Sequence, residues 1–293
     1  MARTILVTGA TGTVGSDVLR GLAGREGIQV RAAVRDKGKS AALAGPNIDL
    51  VWFDYNRPES LGPACRGVDA IFMVPPFTPD GVAQSLEFLK AAREAGAKHI
   101  VKLSVIPSIG GITVGKWHAA IDEALKKSGM AWTILRPGAF MQNFVETSAP
   151  RPDGNMYLPV GNSKTAFIDT RDIAAIAVKA LTEAGHEGKE YPLTGPEALT
   201  MSEVAAKLSV ATGRPIRYVN IAPEEARKAQ LARGIPEYAA DALAELFAER
   251  RKGKESQVSP VIEGIIGRRA TSFDDFALRN AAIFRGEQPA PKV

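Results

Sequence analysis

The sequence predicts a doubly wound α/β fold: one parallel sheet covered by helices on both faces, with a small, mostly helical lobe near its C-terminal end. Three observations predict it. The chain begins with a strand, a glycine turn and a helix in immediate succession. Short apolar, often β-branched runs then alternate with helical patterns through the first half, as crossover connections require. Beyond about residue 222 the pattern turns almost wholly helical.

The opening segment runs from Arg3 to Gly24. An apolar run, Ile5 to Val7, breaks at Gly9, and Gly12 and Gly15 follow at three-residue intervals. Val14, Val18, Leu19 and Leu22 then fall on one face of a helix. Backbone N–H groups at such a turn, with the positive end of the helix dipole, favour a pyrophosphate. Gly9, Thr11, Gly12, Thr13, Val14 and Gly15 are therefore the candidate cradle of a dinucleotide. The spacing is G-x-x-G-x-x-G, not the commoner G-x-G-x-x-G. This marks the first half as a Rossmann-type core.

Further strands are expected near 29–34, 49–53, 69–74, 99–104 and 131–136, after a first at 4–8. Helices are expected near 13–24, 36–44, 58–65, 80–95 and 115–128. A loop rich in Pro, Gly and Asn spans roughly 148–164. FIDTRDIAAIAVKAL reads as a short strand entering a helix, with Thr170 its N-cap and Asp172 in the first turn. YPLTG reads as a strand, followed by a helix and a strand in MSEVAAKLSVATG and IRYVNI. Residues 222–284 read as mostly helical, and EQPAPKV as a tail. Residues 1–150 form the dinucleotide-binding core. Residues 151–293 complete the sheet and build the substrate lobe, within one integrated domain.

Composition narrows the function. The chain has 293 residues, 45% of them hydrophobic, which suits a soluble globular protein. It holds no apolar run of roughly 18 residues, so no membrane span is expected. Its N-terminus reads as a strand, not a signal peptide, which points to the cytoplasm. One cysteine, Cys65, rules out an internal disulfide. Three distant histidines, His99, His118 and His186, give no metal spacing. The net charge of +5 is scattered. Its one dense run, Arg250, Arg251, Lys252 and Lys254, ends a predicted helix, where cations suit the dipole. No nucleic-acid partner is expected.

Ligands of such sheets bind at the carboxyl ends of the strands. Arg35 ends the second strand, where an Asp or Glu would hold a ribose 2′-hydroxyl; Arg, with Lys39 nearby, suits a 2′-phosphate and so NADP(H) over NAD(H). Asp54 follows the third strand, with Tyr55 beside it. Its carboxylate either accepts from the adenine amino group or shapes a turn. After the fourth strand, Val74, Pro75 and Pro76 build a stiff wall. Ser104 ends the fifth strand and is a candidate donor near the nicotinamide.

TGATGTVG, AAVRD, WFDYN, AREAGAKHIVKLS, HAAIDEALKKSGMAWTILRPGAFMQNF, FIDTRDIA and YPLTGPEALT together resemble the NmrA-like branch of atypical short-chain dehydrogenases/reductases. That branch includes NADPH-dependent quinone oxidoreductases and triphenylmethane reductase, and the resemblance extends to about Phe284. It implies that Pro137, Gly138, Ala139 and Phe140 line the nicotinamide. Wider relatives use Tyr-x-x-x-Lys, which is absent here. Four residues after each tyrosine lie Glu59, Gly161, Gly195, Ala222 and Ala242. By spacing from LRPG, His118 stands at the lysine position and Val114 at the tyrosine position. Lacking the phenol, the chain is expected to favour acceptors that spread incoming charge over a π system, with His118 and Ser104 as the catalytic candidates, His118 hydrogen-bonding either the nicotinamide ribose of the cofactor or the substrate oxygen. Phe77, Trp117, Met141 and Phe144 are the expected substrate wall. The expected activity is NADPH-dependent hydride transfer to such a conjugated small molecule by a monomer or homodimer. The alternative is a non-catalytic dinucleotide sensor, a role some NmrA-like proteins play.

Overall fold

The computed structural model describes residues 2–289. The end of the expected tail, residues 290–293, lies outside them. In chain order the strands are β1 (Arg3–Val7), β2 (Ile28–Val34), β3 (Ile48–Trp52), β4 (Ala70–Met73), β5 (His99–Leu103), β6 (Ala131–Pro137), β7 (Asn155–Leu158), β8 (Lys189–Leu193) and β9 (Arg217–Asn220). The helices are α1 (Thr13–Leu22), α2 (Pro58–Cys65), α3 (Gly81–Glu94), α4 (Thr113–Lys127), α5 (Thr170–Thr182), α6 (Met201–Thr212), α7 (Pro223–Ala232), α8 (Glu237–Arg251), α9 (Val261–Ile266), α10 (Phe273–Arg279) and α11 (Ala281–Phe284). The first six strands fall within one residue of the expected bounds at each end.

Seven strands pair in parallel in the order β3-β2-β1-β4-β5-β6-β8. The order reverses between β1 and β4, and the crevice at that switch is where ligands bind. Side-chain alternation sends Ile5 and Val7 to one layer and Leu6 to the other. Val18 and Leu22 of α1 meet Ile173 and Ala177 of α5 in the first layer. Leu61 of α2, Phe88 of α3 and Ile121 of α4 fill the second. A third core, around Phe144, Phe167, Phe273 and Phe276, holds the C-terminal lobe together. The C-terminal part also supplies β8 to the main sheet and α5 to its first layer.

Four expectations change in detail, the first being the short strand read at FID, which is only an isolated bridge between Ile168 and Phe140 because α5 starts immediately after it. The helix expected at 36–44 is a single 3-10 turn, Ala41–Leu43. Asp36 Oδ1 accepts from the Gly38 and Lys39 amides at 2.9 and 3.1 Å, which turns the chain before a helix can start. Helix α5 is capped by Asp169, not Thr170: the Asp169 side chain accepts from the Arg171 amide. The Thr170 hydroxyl instead donates to Asp17 Oδ2 at 2.7 Å, locking α5 to α1. The loop expected at 148–164 contains β7, paired in parallel with β9.

Helix α1 crosses the end of β1 at very short range. Gly9 has φ +61°, and a Cβ at Gly15 would lie 2.0 Å from the Gly9 carbonyl oxygen. At Gly12, with φ −83° and ψ 170°, a Cβ would lie 3.2 Å from the same oxygen, close but accommodated by a small shift. Alanine ordinarily stabilises a helix interior by about 1 kcal/mol over glycine. Gly15→Ala is expected to reverse that sign and lower Tm by at least about 5 °C, whereas Gly12→Val is expected to shift Tm by under about 3 °C. Thermal unfolding of the two variants checks it; an unchanged Tm for Gly15→Ala would show that the approach is not tight.

Candidate active site

Helix α1 opens without help from its own side chains. Its N-cap, Gly12, makes no side-chain cap bond, and its first turn carries no acidic residue. The first-turn N–H groups are thus left for a ligand. Over them lies a cavity of about 620 Å³, lined by Thr11, Gly12, Thr13, Lys39, Glu146 and Arg279 among others. The Thr13 hydroxyl donates to Glu146 Oε1 at 3.3 Å. Val14 and Gly15 are buried beneath the loop. Thr8 ties the switch point together: its Oγ1 accepts from the Val74 amide at 2.8 Å and donates to the Phe72 carbonyl at 3.2 Å.

At the far end of this groove Arg35 is exposed and bonds no carboxylate among the described residues. Lys39 stands 3.9 Å from Asp36 and is also exposed. Asp54 shapes a turn: its Oδ1 accepts from the Asn56 amide at 2.9 Å and from Asn56 Nδ2 at 3.2 Å. The Tyr55 hydroxyl donates to the Val74 carbonyl at 3.1 Å, and its ring packs edge-on against Phe53 and Phe88. Burial raises its phenol pKa, so Tyr55 is a wall rather than an acid. Val74, Pro75 and Pro76 are half-buried and lead into exposed Phe77.

The second half of the site is a buried polar cluster between β5 and α4. His118 and Asp122 share one helix face at a four-residue spacing. Lys102, 0% exposed on the interior strand β5, reaches Asp122 Oδ1 at 2.7 Å and His118 Nδ1 at 3.2 Å. Asp122 Oδ2 accepts from the Ser104 hydroxyl at 2.8 Å and lies 3.1 Å from Arg136 Nη1. Arg136 Nε donates to Glu190 at 2.6 Å, and Lys126 also pairs with Glu190. Burial, with the Lys102 and Arg136 cations near, pushes the His118 pKa down to about 3. Burial also pushes Lys102 down to about 8, against the pull of Asp122.

This cluster changes the part expected of Ser104. Its proton goes to Asp122, so in this arrangement it organises the carboxylate instead of donating to a ligand. Lys102, Asp122 and Arg136 were not singled out from the sequence. The signal was a lysine inside the apolar run HIVKL, where a parallel strand covered on both faces is otherwise near-continuously apolar.

The expected aromatic wall divides. Phe77 and Trp117 meet at 5.7 Å between ring centroids, and Tyr238 of α8 joins Phe77 at 6.2 Å. The Tyr238 hydroxyl donates to the Phe77 carbonyl at 3.3 Å, and the Thr113 amide donates to Glu245 of α8 at 2.7 Å. Helix α8 is thereby fastened over α4. Met141 and Phe144, however, are 1% and 2% exposed. Phe144 packs edge-on against Phe167 and Phe273, and Met141 lies in the same core, since the chain after Phe140 turns into the lobe. Phe144 also borders a cavity of about 180 Å³ beneath α8. The backbone before them is held rigidly. The Gly138 amide donates to Leu193, the Pro137 carbonyl accepts from Ile106, and the Ala139 carbonyl accepts from Ile168. Phe140 packs on the sheet core.

The sequence profile of the NmrA-like family matches residues 1–276. The chain is 42% identical over 283 residues to the NAD(P)H azoreductase of Xenophilus azovorans, covering 96% of this chain and 99% of that one. Among solved structures, Citrobacter sp. triphenylmethane reductase complexed with NADP(H) superposes with a TM-score of 0.82 at 28% identity, over 96% of this chain and 100% of that one. The NADPH-dependent quinone oxidoreductase of Escherichia coli complexed with NADPH gives 0.82 at 28%, over 94% and 98%.

The neutral histidines make stability depend on pH. The pKa of His99, buried on β5 with Nε2 2.9 Å from Thr133 Oγ1, is also pushed down by burial, to about 4. As pH falls below the ordinary histidine value near 6.5, the unfolded chain takes up these protons first, so stability falls with pH until about 4. His118→Gln is expected to reduce that slope by up to one proton, about 1.4 kcal/mol per pH unit. Urea unfolding of both proteins between about pH 4 and 7 measures it; equal slopes would mean His118 titrates normally in the folded state.

Proposed function

The chain belongs to the NmrA-like family, and within it we propose an NADPH-dependent oxidoreductase that passes a hydride to a quinone-like or other conjugated small molecule. The observation that carries this reading is His118. It is a half-buried imidazole on α4, beside the buried Lys102–Asp122 pair, and its depressed pKa keeps it uncharged at neutral pH.

The residues at the other end of the groove fit the dinucleotide. The open N-terminus of α1 and the side-chain-free Gly12 take the pyrophosphate, and Arg35 with Lys39 takes the 2′-phosphate. Val74, Pro75 and Pro76 wall the ribose, and the rigid run Pro137 to Phe140 flanks the nicotinamide. When bound, NADPH supplies the hydride. Phe77, Trp117 and Tyr238 hold a flat acceptor and exclude water. His118 donates a hydrogen bond where negative charge develops, without giving up its proton. An acceptor that spreads the charge needs no more than that. A simple ketone does, because its alkoxide must be protonated. Azo, quinone and triphenylmethane acceptors, named for the relatives, share this π character. The non-catalytic sensor alternative gives no role to this cluster, and the three relatives compared above are named as reductases or oxidoreductases.

No helix among the described residues is long and apolar enough to cross a membrane. A cytoplasmic monomer or homodimer acting on a small molecule completes the proposal, with 1–150 and 151–293 as parts of one domain.

Two outcomes are expected. Calorimetry should give tighter binding of NADPH than NADH by about one to two decades, the worth of a charge-assisted contact. Arg35→Ala should erase most of that difference, and Gly12→Val should abolish binding of both cofactors. Equal affinities in the unaltered protein would remove the role given to Arg35. In steady-state assays at 340 nm, quinones should be reduced and unactivated ketones hardly at all. His118→Ala should lower kcat/KM for the quinone about 10- to 100-fold. Unchanged rates in that variant would return His118 to a passive surface position.

A further inference from the structure

A lysine at the centre of a buried parallel strand is costly unless its charge is used. All five residues of β5 are buried, and the strand is flanked by β4 and β6. Position 102 faces the same layer as Ile100, where Ile121 and Leu125 of α4 pack. An apolar side chain would satisfy the fold there. Lys102 instead extends to Asp122 and His118.

The direction of the second contact is fixed by chemistry. An ammonium has protons to give and no lone pair. His118 Nδ1 therefore accepts, and the single ring proton of the neutral imidazole sits on Nε2. Nδ1 faces the buried lysine, so Nε2, on the opposite edge of the ring, turns towards the half-exposed side. The effect is the reverse of a carboxylate partner. A carboxylate takes the Nδ1 proton's hydrogen bond and makes Nε2 more basic. A cation at Nδ1 withdraws electron density and makes the Nε2–H a stronger donor. Asp122 compensates the lysine charge and is itself held by Ser104 and Arg136.

We infer that Lys102 is a positioning residue for the reduction: it fixes His118 in the Nε2–H tautomer and polarises that N–H towards the acceptor. The inference rests on the proposed reaction for its purpose, but the tautomer is a property of the resting protein. The charged groups around the imidazole are Lys102 from β5, Asp122 and Lys126 from α4, Arg136 from β6 and Glu190 from β8.

The test joins spectroscopy to kinetics. In 15N-edited NMR of the unaltered protein, His118 should show protonated Nε2 and unprotonated Nδ1, with no titration between about pH 5 and 7, the range in which Lys102 remains an ammonium. In Lys102→Met, His118 should sample both tautomers and titrate. The kcat/KM profile for 1,4-benzoquinone should then gain an acid-side inflection, raised from about 3 by loss of the cation but still below the ordinary histidine value because burial and Arg136 remain. At pH 7, where Lys102 is still charged, kcat should fall about 10-fold, with the NADPH dissociation constant within about 2-fold. A merely structural lysine would lower Tm without moving the tautomer or the profile. Protonated Nδ1, or an ordinary titration, in the unaltered protein overturns the inference even if the variant does not fold. So does a variant with unchanged tautomer and pH profile. If the unaltered protein reduces no quinone or dye, the proposed reaction fails, while the NMR result still decides the lysine's hold on His118.

Discussion

The contact on which the catalytic half of this molecule depends is the buried ion pair between Lys102 on β5 and Asp122 on α4. Two charges out of water must lie within hydrogen-bond reach, and leaving one alone would cost about 3–5 kcal/mol. That requirement fixes the rotation and depth of α4 against the sheet far more tightly than apolar packing does. Once α4 is fixed, His118 one turn earlier has one place to be. Asp122 then recruits Ser104 and Arg136, and Arg136 carries the network across β6 to Glu190 on edge strand β8. The C-terminal strand is thereby coupled to the position of a histidine on the fourth helix.

The crevice is electrically graded along its length. One end presents Arg35, Lys39 and the bare N-terminus of α1, all suited to phosphate oxygens. The other presents an imidazole that burial keeps uncharged. In the proposed function, charge is thus spent on holding the cofactor, and none sits on the imidazole. The aromatic group of Phe77, Trp117 and Tyr238 joins the two parts of the chain, because Tyr238 belongs to α8 and the other two to the core.

Much of the fold was legible in the sequence because its signals are local. Strand runs such as Ala70–Met73 and the Gly9–Gly15 turn need only neighbours in the chain to be recognised. The 36–44 segment misled because its helical spacing is real, yet Asp36 captures the amides that would start a helix. The site was half legible. Arg35 and the glycines announce themselves by place, at a strand end and before a helix. Met141 and Phe144 have the right composition for a substrate wall, but the direction of the chain after Phe140 puts them in a core. The partnership of residues 102, 118, 122 and 136 depends on strand register and helix rotation together. Periodicity shows neither; only the odd lysine in HIVKL hinted at it.

The cluster also explains how the chain dispenses with Tyr-x-x-x-Lys. In that arrangement a cation lowers the pKa of a phenol so that it can release its proton. Here a cation is still present but comes from strand β5, and its partner is an imidazole already deprotonated at Nδ1. Burial and the nearby Lys102 and Arg136 cations hold His118 uncharged at pH 7, so its imidazolium is a minor population. Acid catalysis from so small a population would be slow. A permanently available N–H donor, by contrast, works on every encounter and needs no reprotonation between turnovers. Its reach is limited to acceptors whose own π system carries most of the charge. On the proposed reading, the choice of substrate class follows from a lysine that never touches the substrate.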